Sequence, residues 1–350
     1  MKRLLLMILM MLGTFFLFFY QLDYYIMKPG SAYDVSKFVT VENGDLDDEG
    51  TFSLMTVAMS QATPLTYLIA KFSEHEELMK KEDIHQKEED EQEYNIRQLK
   101  LMKDSQFNAI YVAYNKAGLP YTVDYYGITV LNVLAGGASD GILEPGDRIE
   151  EIDGTVIKKA EDLVHVLETK KEDDVVQLVI QRDEKLLDRT MTLKEIPDSG
   201  GKIGLGITYA ENKTIQTDPK IKINSKDIGG PSAGLMFTLE ILNQLLDEDI
   251  TKGYLVAGTG EMHEDGTVGR IGGIEKKVVA AHRDGMEIFF APDDEISEEV
   301  KKKNPEILSN YEAAVKTANK INTDMKIVPV KTIDDALNYL KNLPEKEKTS

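Results

Sequence analysis

Ser232 is set among three glycines and a proline in the run D-I-G-G-P-S-A-G-L-M-F-T-L-E-I-L-N-Q-L-L, residues 227–246. Beyond it, apolar residues recur at Leu235, Met236, Leu239, Leu242 and Leu246, which is helical spacing. Pro231 suits the first turn of a helix, where its missing N–H costs little. The serine is therefore expected at or near a helix N-terminus. Free backbone N–H groups and the positive end of the helix dipole can stabilise an oxyanion there. Gly229, Gly230 and Gly234 would admit a substrate backbone at close range. Taken alone, such a serine is as readily a helix N-cap as a nucleophile.

A second reactive group lies 45 residues downstream. Residues 270–285, R-I-G-G-I-E-K-K-V-V-A-A-H-R-D-G, read as a Gly-Gly turn into a helix ended by Gly285. Ile274, Lys277, Val278 and Ala281 fall at i, i+3, i+4 and i+7, one apolar face. Lys277 is thereby directed inward, while Lys276 is turned about 100° away. A lysine on an apolar face loses hydration and its pKa falls. A neutral amine can then take a proton from a serine hydroxyl. By itself, a lysine there can also snorkel past its neighbours to water. A Ser–His–Asp arrangement is the weaker reading: His263 and His282 are the nearby histidines, and His282 sits among charges.

The elements that must hold these groups alternate between strand and helix patterns after residue 199. Strand-like runs are 203–209, 221–223, 255–260, 268–271, 286–292 and 326–330; helical ones lie near 311–321 and 333–343. Earlier, 35–41 and 51–59 alternate like two paired strands, with turn signals at 43–45 and 47–50. Residues 64–114 contain almost no Gly or Pro and favour helix, with 74–93 a charged, solvated face. His75 begins H-E-E-L-M, in which Met79 stands where a zinc-binding H-E-x-x-H needs its second histidine; no metal site is assigned.

At the N-terminus, Lys2 and Arg3 precede an uncharged run from Leu4 to Leu22, 19 residues and close to a bilayer span. It is long and bulky and lacks a small-residue cleavage pattern, so an uncleaved signal anchor is expected, with the N-terminus cytoplasmic and the rest outside. Tyr20, Tyr24 and Tyr25 would form an aromatic belt, and residues 29–32 a turn leaving the membrane. A net charge of −20 argues against a nucleic-acid groove or a polybasic membrane patch. The absence of cysteine removes disulfides, thiolate metal sites and a cysteine nucleophile.

Between these parts, residues 118–198 resemble a PDZ domain of the bacterial, circularly permuted kind, most specifically in P-G-D-R-I-E-E-I-D-G at 145–154. The resemblance implies a peptide groove, to which a ligand adds as an extra strand. By position its loop would be Tyr126, Gly127, Ile128 and Thr129, and its helix wall would include Leu163 and Val166. G-P-S-A-G, followed by the lysine of G-G-I-E-K-K-V-V-A-A-H-R, resembles the Lon proteolytic domain and its Ser–Lys dyad. With anchor and PDZ unit added, the chain resembles membrane-anchored, PDZ-containing Lon-like proteases of Gram-positive bacteria. The resemblance implies Ser232 as nucleophile and Lys277 as base. Thr259, in A-G-T-G-E, would hold the amine, with Gly230 and Pro231 supporting. Gly229 departs from ATP-driven Lon enzymes, which have an acid three residues before the serine.

The expected fold is an α/β (α+β) Lon-type proteolytic domain with a small β-rich PDZ domain inserted, plus one N-terminal transmembrane helix. Its parts would be an anchor at 1–26, early protease strands and a helical segment at 33–117, the PDZ domain at 118–198 and the proteolytic domain at 199–345. No G-x-x-x-x-G-K-[ST] occurs, so ATP and other cofactors are not expected. The expected partners are peptide or protein substrates outside the cell and the membrane, through residues 4–22, and no nucleic acid. A homo-oligomer is left open, since Lon-type domains often form rings. The alternative is a surface PDZ scaffold whose Lon-like domain is silent.

Overall fold

The computed structural model describes residues 2–46, 49–86, 89–197, 199–225, 228–246 and 248–347. Asp47 and Asp48 of the expected turn, Asp198 of the expected linker and Asp227 at the head of the serine run lie outside the described residues. The first helix, α1 (Lys2–Phe19), is uncharged after Lys2 and Arg3 and nowhere buried. Its 18 residues span about 27 Å, close to the hydrocarbon thickness of a bilayer. The expected anchor ran to residue 26, and the structure shortens it. Leu22 N–H donates to Ala62 O (2.8 Å), and β1 begins at Tyr24. Tyr25, expected in an aromatic belt, is buried in that strand instead.

β1 (Tyr24–Asp34) pairs with β3 (Thr51–Gln61) in a long antiparallel ladder, from Tyr25↔Gln61 to Asp34↔Ser53. The turn expected at residues 29–32 is a bulge within β1. Residues 35–41 do not pair with β3 either. Asp34 accepts from Ser36 N–H (3.0 Å) and starts a 3₁₀ turn that bends the chain away. What is left, β2 (Val39–Val41), pairs with β10 (Ile221–Ile223). The long helix expected over 64–114 is broken into α2 (Pro64–Phe72), the edge strand β4 (Glu77–Lys80) and the 27-residue α3 (Glu91–Ala117). α3 is bounded by a capping box at Asp90 and Glu93 and by Gly118 in the left-handed region.

The first sheet runs β13-β12-β11-β3-β1-β4, where β11 is Leu255–Gly258, β12 Ile288–Pro292 and β13 Lys326–Val330. Its first three strands follow residues 121–217 and its last three precede them, so that stretch, which forms a sheet of its own, is inserted between the two halves of this one. Alternating side chains fill two cores. Phe52, Leu54, Val256 and Phe290 pack under α5 (Gly234–Leu245). Met55, Ala257 and Phe289 pack on the opposite face with α6 (Ile274–Arg283) and α7 (Asn310–Lys320). A final helix, α8 (Ile333–Lys341), adds Ile333, Ala336 and Leu340 to the first core.

The second sheet runs β9-β5-β6-β7-β8, with β5 Tyr121–Val133, β6 Arg148–Ile152, β7 Val175–Arg182, β8 Lys185–Thr192 and β9 Ile207–Thr217. α4 (Ala160–Leu167) packs Leu163 into its core. This unit extends beyond its expected end at 198. β9 pairs with β5 from Ile207↔Val133 to Thr217↔Tyr121, so the turn at 199–201 lies inside the unit rather than at its border.

Candidate active site

The serine run forms a tight turn ahead of α5. Gly230 takes φ +84°, Ala233 caps the helix, and the helix proper starts at Gly234. Pro231 therefore precedes the first helical turn instead of sitting in it. α3 grips the turn from outside: Gly230 N–H donates to Gln98 O (3.0 Å), and Ser105 Oγ donates to Pro231 O (2.9 Å). A Cβ on Gly234 would lie 2.8 Å from Met262 N, so glycine is required for this approach. Among the described residues, the N–H groups of Ser232 and Ala233 have no acceptor. They lie at the positive end of α5, where an oxyanion would be stabilised.

Lys277 comes from the opposite face of the sheet. Gly273, left-handed with φ +68°, turns the chain into α6, and a Cβ there would meet Met27 Sδ at 2.8 Å. The Lys277 side chain passes the end of β11 and is only 2% exposed. Its Nζ lies 2.7 Å from Ser232 Oγ and 2.8 Å from Thr259 Oγ1. Thr259 Oγ1 donates to Ser232 O at 3.0 Å, and Gly260 N–H donates to the same carbonyl at 2.9 Å. Thr259 has thus committed its proton and can only accept from the amine. That leaves the lone pair of a neutral Lys277 free to receive the Ser232 hydroxyl proton. Burial pushes the Lys277 pKa down from 10.5 to about 7. Among the described residues, Lys277 has no carboxylate within ion-pair distance, whereas its neighbour Lys276 pairs outward with Glu77 at 2.5 Å.

Two clefts meet at this pair. One, of about 720 Å³, runs past Tyr33, Phe38, Ile228 and Arg283; the other, of about 910 Å³, past Met27, Met59, Tyr94, Gln98 and Leu99. Both are lined by Val57, Gly229, Ser232 and Lys277. β11 pairs with β3 only over Thr51–Leu54. Beyond Leu54 that edge of β3 has no strand neighbour among the described residues, and it borders both clefts. His263 lines a separate cleft with Arg270 and Asp293, and His282 Nδ1 bonds Thr323 Oγ1 (2.9 Å), so neither histidine serves Ser232.

The expected PDZ loop is corrected. Tyr126, Gly127, Ile128 and Thr129 lie within β5; Ile128 and Thr129 pair with β9 on one side and β6 on the other. No peptide can add there. A free edge belongs to β9, one of the two outer strands of this sheet. It follows the turn Gly204-Leu205-Gly206, in which Gly206 takes φ +71°. Among the described residues, Leu205 and Gly206 N–H have no acceptor. α4 lies beside this edge, since Ala160 N–H donates to Glu211 Oε1 (2.7 Å). Leu163 is buried, Val166 and Leu167 are both half-buried against the core, and Val164 is the exposed apolar side chain that α4 offers to a groove wall. The signal for this edge was the G-L-G-I run at 204–207, hidden because a glycine turn came just before it. Ser105 and Gln98 gave no sequence signal, since α3 lies far from the serine in the chain.

Residues 222–342 match the family model of the Lon protease (S16) C-terminal proteolytic domain, and residues 99–193 match that of a PDZ domain. The chain is 30% identical over 170 residues to the Lon protease of Mycoplasma mobile, covering 42% of this chain and 20% of that protein. It is 35% identical over 108 residues to the Lon protease of Campylobacter concisus, covering 31% of this chain and 11% of that one. It spans a fifth or less of the length of these curated relatives. A solved PDZ domain of an SdrC-like protein from Listeria monocytogenes aligns at 30% identity and TM-score 0.24, covering 25% of this chain and 93% of that one. The first of these models is that of a serine peptidase domain. More particularly, the chain carries a Lon-type proteolytic domain together with a PDZ domain.

Proposed function

We propose that this chain is a membrane-anchored, ATP-independent serine endopeptidase acting on extracellular or membrane-associated peptides and proteins, with Ser232 as nucleophile and Lys277 as general base. The observation that carries this reading is the 2.7 Å approach of a buried lysine amine to a serine hydroxyl between two clefts. A substrate strand laid along the unpaired edge of β3 brings its carbonyl to Ser232. Lys277 Nζ takes the hydroxyl proton as Oγ attacks, the Ser232 and Ala233 N–H groups receive the oxyanion, and the resulting ammonium returns the proton to the leaving amine. Water then repeats the sequence on the acyl-enzyme. Lys2 and Arg3 in the first turn of α1 favour a cytoplasmic N-terminus with the catalytic part outside. The full chain in detergent, given an unstructured polypeptide, is expected to cut without ATP. Ser232→Ala is expected to lose about 10³-fold or more of that rate with an unchanged circular dichroism melt. Cleavage that persists in Ser232→Ala sinks the assignment.

In the same reading, the PDZ unit captures substrate by adding a peptide to β9, with the C-terminal carboxylate held by Leu205 and Gly206 N–H. Val164, 47% exposed on α4, is the apolar contact available to it. Val164→Asp is expected to weaken binding of a peptide captured at this edge by about tenfold or more, the worth of one buried apolar side chain. Turnover of a short peptide that does not use the groove stays the same. Equal affinity in isothermal titration places capture elsewhere.

A further inference from the structure

α2 has two apolar faces. Tyr67 and Ala70 turn inward and pack with Leu22, Tyr24, Ile26, Ala62 and Leu78. Leu65, Leu68, Ile69 and Phe72 recur at i, i+3, i+4 and i+7 and form a second stripe on the outside. Leu68 is 52% exposed, Ile69 55% and Phe72 86%. A reciprocal cap between Thr63 and Thr66 and Pro64 in the first turn hold the helix in shape, so the stripe is a formed surface. Contiguous exposed apolar surface of this kind marks a contact. Its position names the partner. Leu22 N–H donates to Ala62 O where the chain leaves α1, two residues before α2 begins, and α1 and α2 touch. The stripe therefore continues the wholly exposed apolar surface of α1.

We propose that α2 lies in the membrane interface, with Leu65, Leu68, Ile69 and Phe72 among the upper acyl chains beside the exit of α1. This rests on the reading of α1 as a retained span. An interfacial helix needs such an apolar face, and Lys71 at its last turn lies off the stripe, where its charge can meet head groups. Two points of attachment fix the orientation of the first sheet. From Gln61, beside the exit of α1, β3 reaches Val57 at the clefts in four residues, about 13 Å at ~3.3 Å per residue. The Ser232–Lys277 pair is thereby held close to the bilayer, within reach of the first residues that a membrane-bound polypeptide sends out of it.

The chain contains no tryptophan, so each introduced one reports alone. Phe72→Trp, Tyr20→Trp and Leu186→Trp, the last on exposed PDZ surface, are placed separately in the full chain. Each variant is reconstituted into phosphatidylcholine vesicles, with or without lipid brominated near the top of its acyl chains. Phe72→Trp and Tyr20→Trp are expected to lose most of their emission to brominated lipid, and Leu186→Trp none. Adding Leu68→Glu and Ile69→Glu to Phe72→Trp is expected to restore the emission to that of Leu186→Trp with unchanged circular dichroism. If Tyr20→Trp is quenched and Phe72→Trp is not, the span stands and the interfacial helix is overturned. If Tyr20→Trp is also unquenched, the span itself fails and the proposal falls with it. A Phe72→Trp emission that shifts to shorter wavelength with protein density, without quenching by lipid, assigns the stripe to a second copy of the chain and overturns the proposal as well.

Discussion

Lys277→Met is expected to abolish cleavage and at the same time to stabilise the fold. Methionine fills nearly the same volume without a charge, in a site 2% exposed and without an ion-pair partner among the described residues. The loss of rate should be about 10³-fold or more, because a nucleophile and base that act as one unit fail together. The gain in stability follows from the depressed pKa of about 7. Below pH 7 both folded and unfolded chains carry the ammonium, and the fold bears the whole burial penalty. Between pH 7 and 10.5 the unfolded state binds the proton that the folded state has shed, so wild-type stability rises with pH. Above 10.5 both are neutral and the penalty is gone. At 1.36 kcal/mol per unit the penalty is roughly 5 kcal/mol at acid pH, an order of magnitude for the advantage of Lys277→Met. Denaturant midpoints of the two proteins from pH 5 to 10 should converge as pH rises. Wild-type kcat/KM should climb tenfold per pH unit up to about 7 and then level. A variant as active as wild type, or midpoints that diverge with rising pH, refutes the buried-base assignment.

Thr259→Val is expected to lower kcat by about 10²-fold with KM nearly unchanged. Valine keeps the shape but offers no acceptor, so the amine loses its 2.8 Å partner and Ser232 O loses one of its two donors. The lysine can then rotate its lone pair away from Ser232, and a misdirected base costs rate rather than affinity. Loss of the hydroxyl also removes a bond that favours the ammonium, so the acid limb of the pH–rate profile should move below that of wild type. Thr259→Ser should restore both rate and limb. A structural role alone would raise KM or lower the melting temperature without moving the limb, and that result would remove Thr259 from the proposed machinery.

Local pattern carried much of the site. The apolar face that includes Lys277 is read at a spacing of three and four residues, and α6 begins at Ile274 as that pattern requires. β13 occupies the same residues, 326–330, as the strand-like run read there. Reading failed where the partner was distant. The 35–41 run has strand-like alternation, yet a single Asp34 side chain turns it into a 3₁₀ bend, and β3 takes β1 as neighbour. The PDZ resemblance implies a groove loop at Tyr126–Thr129; strand β9, more than 70 residues later, pairs with Ile128 and Thr129 and, with β6 on the other side, makes them sheet interior.

The sequence by itself determined the two chemical groups, their helices, the apolar N-terminal run and the presence of two units, because these depend on side-chain type and on neighbours within two turns. Only the tertiary structure decided that Lys277 crosses the end of β11 to Ser232, that α3 grips the serine turn through Ser105 and Gln98, and that β9 is an open edge of the PDZ sheet beside α4. Strand partners and burial are settled by contacts between residues far apart in the chain, where backbone hydrogen bonds and close packing select one arrangement from several that local preference allows.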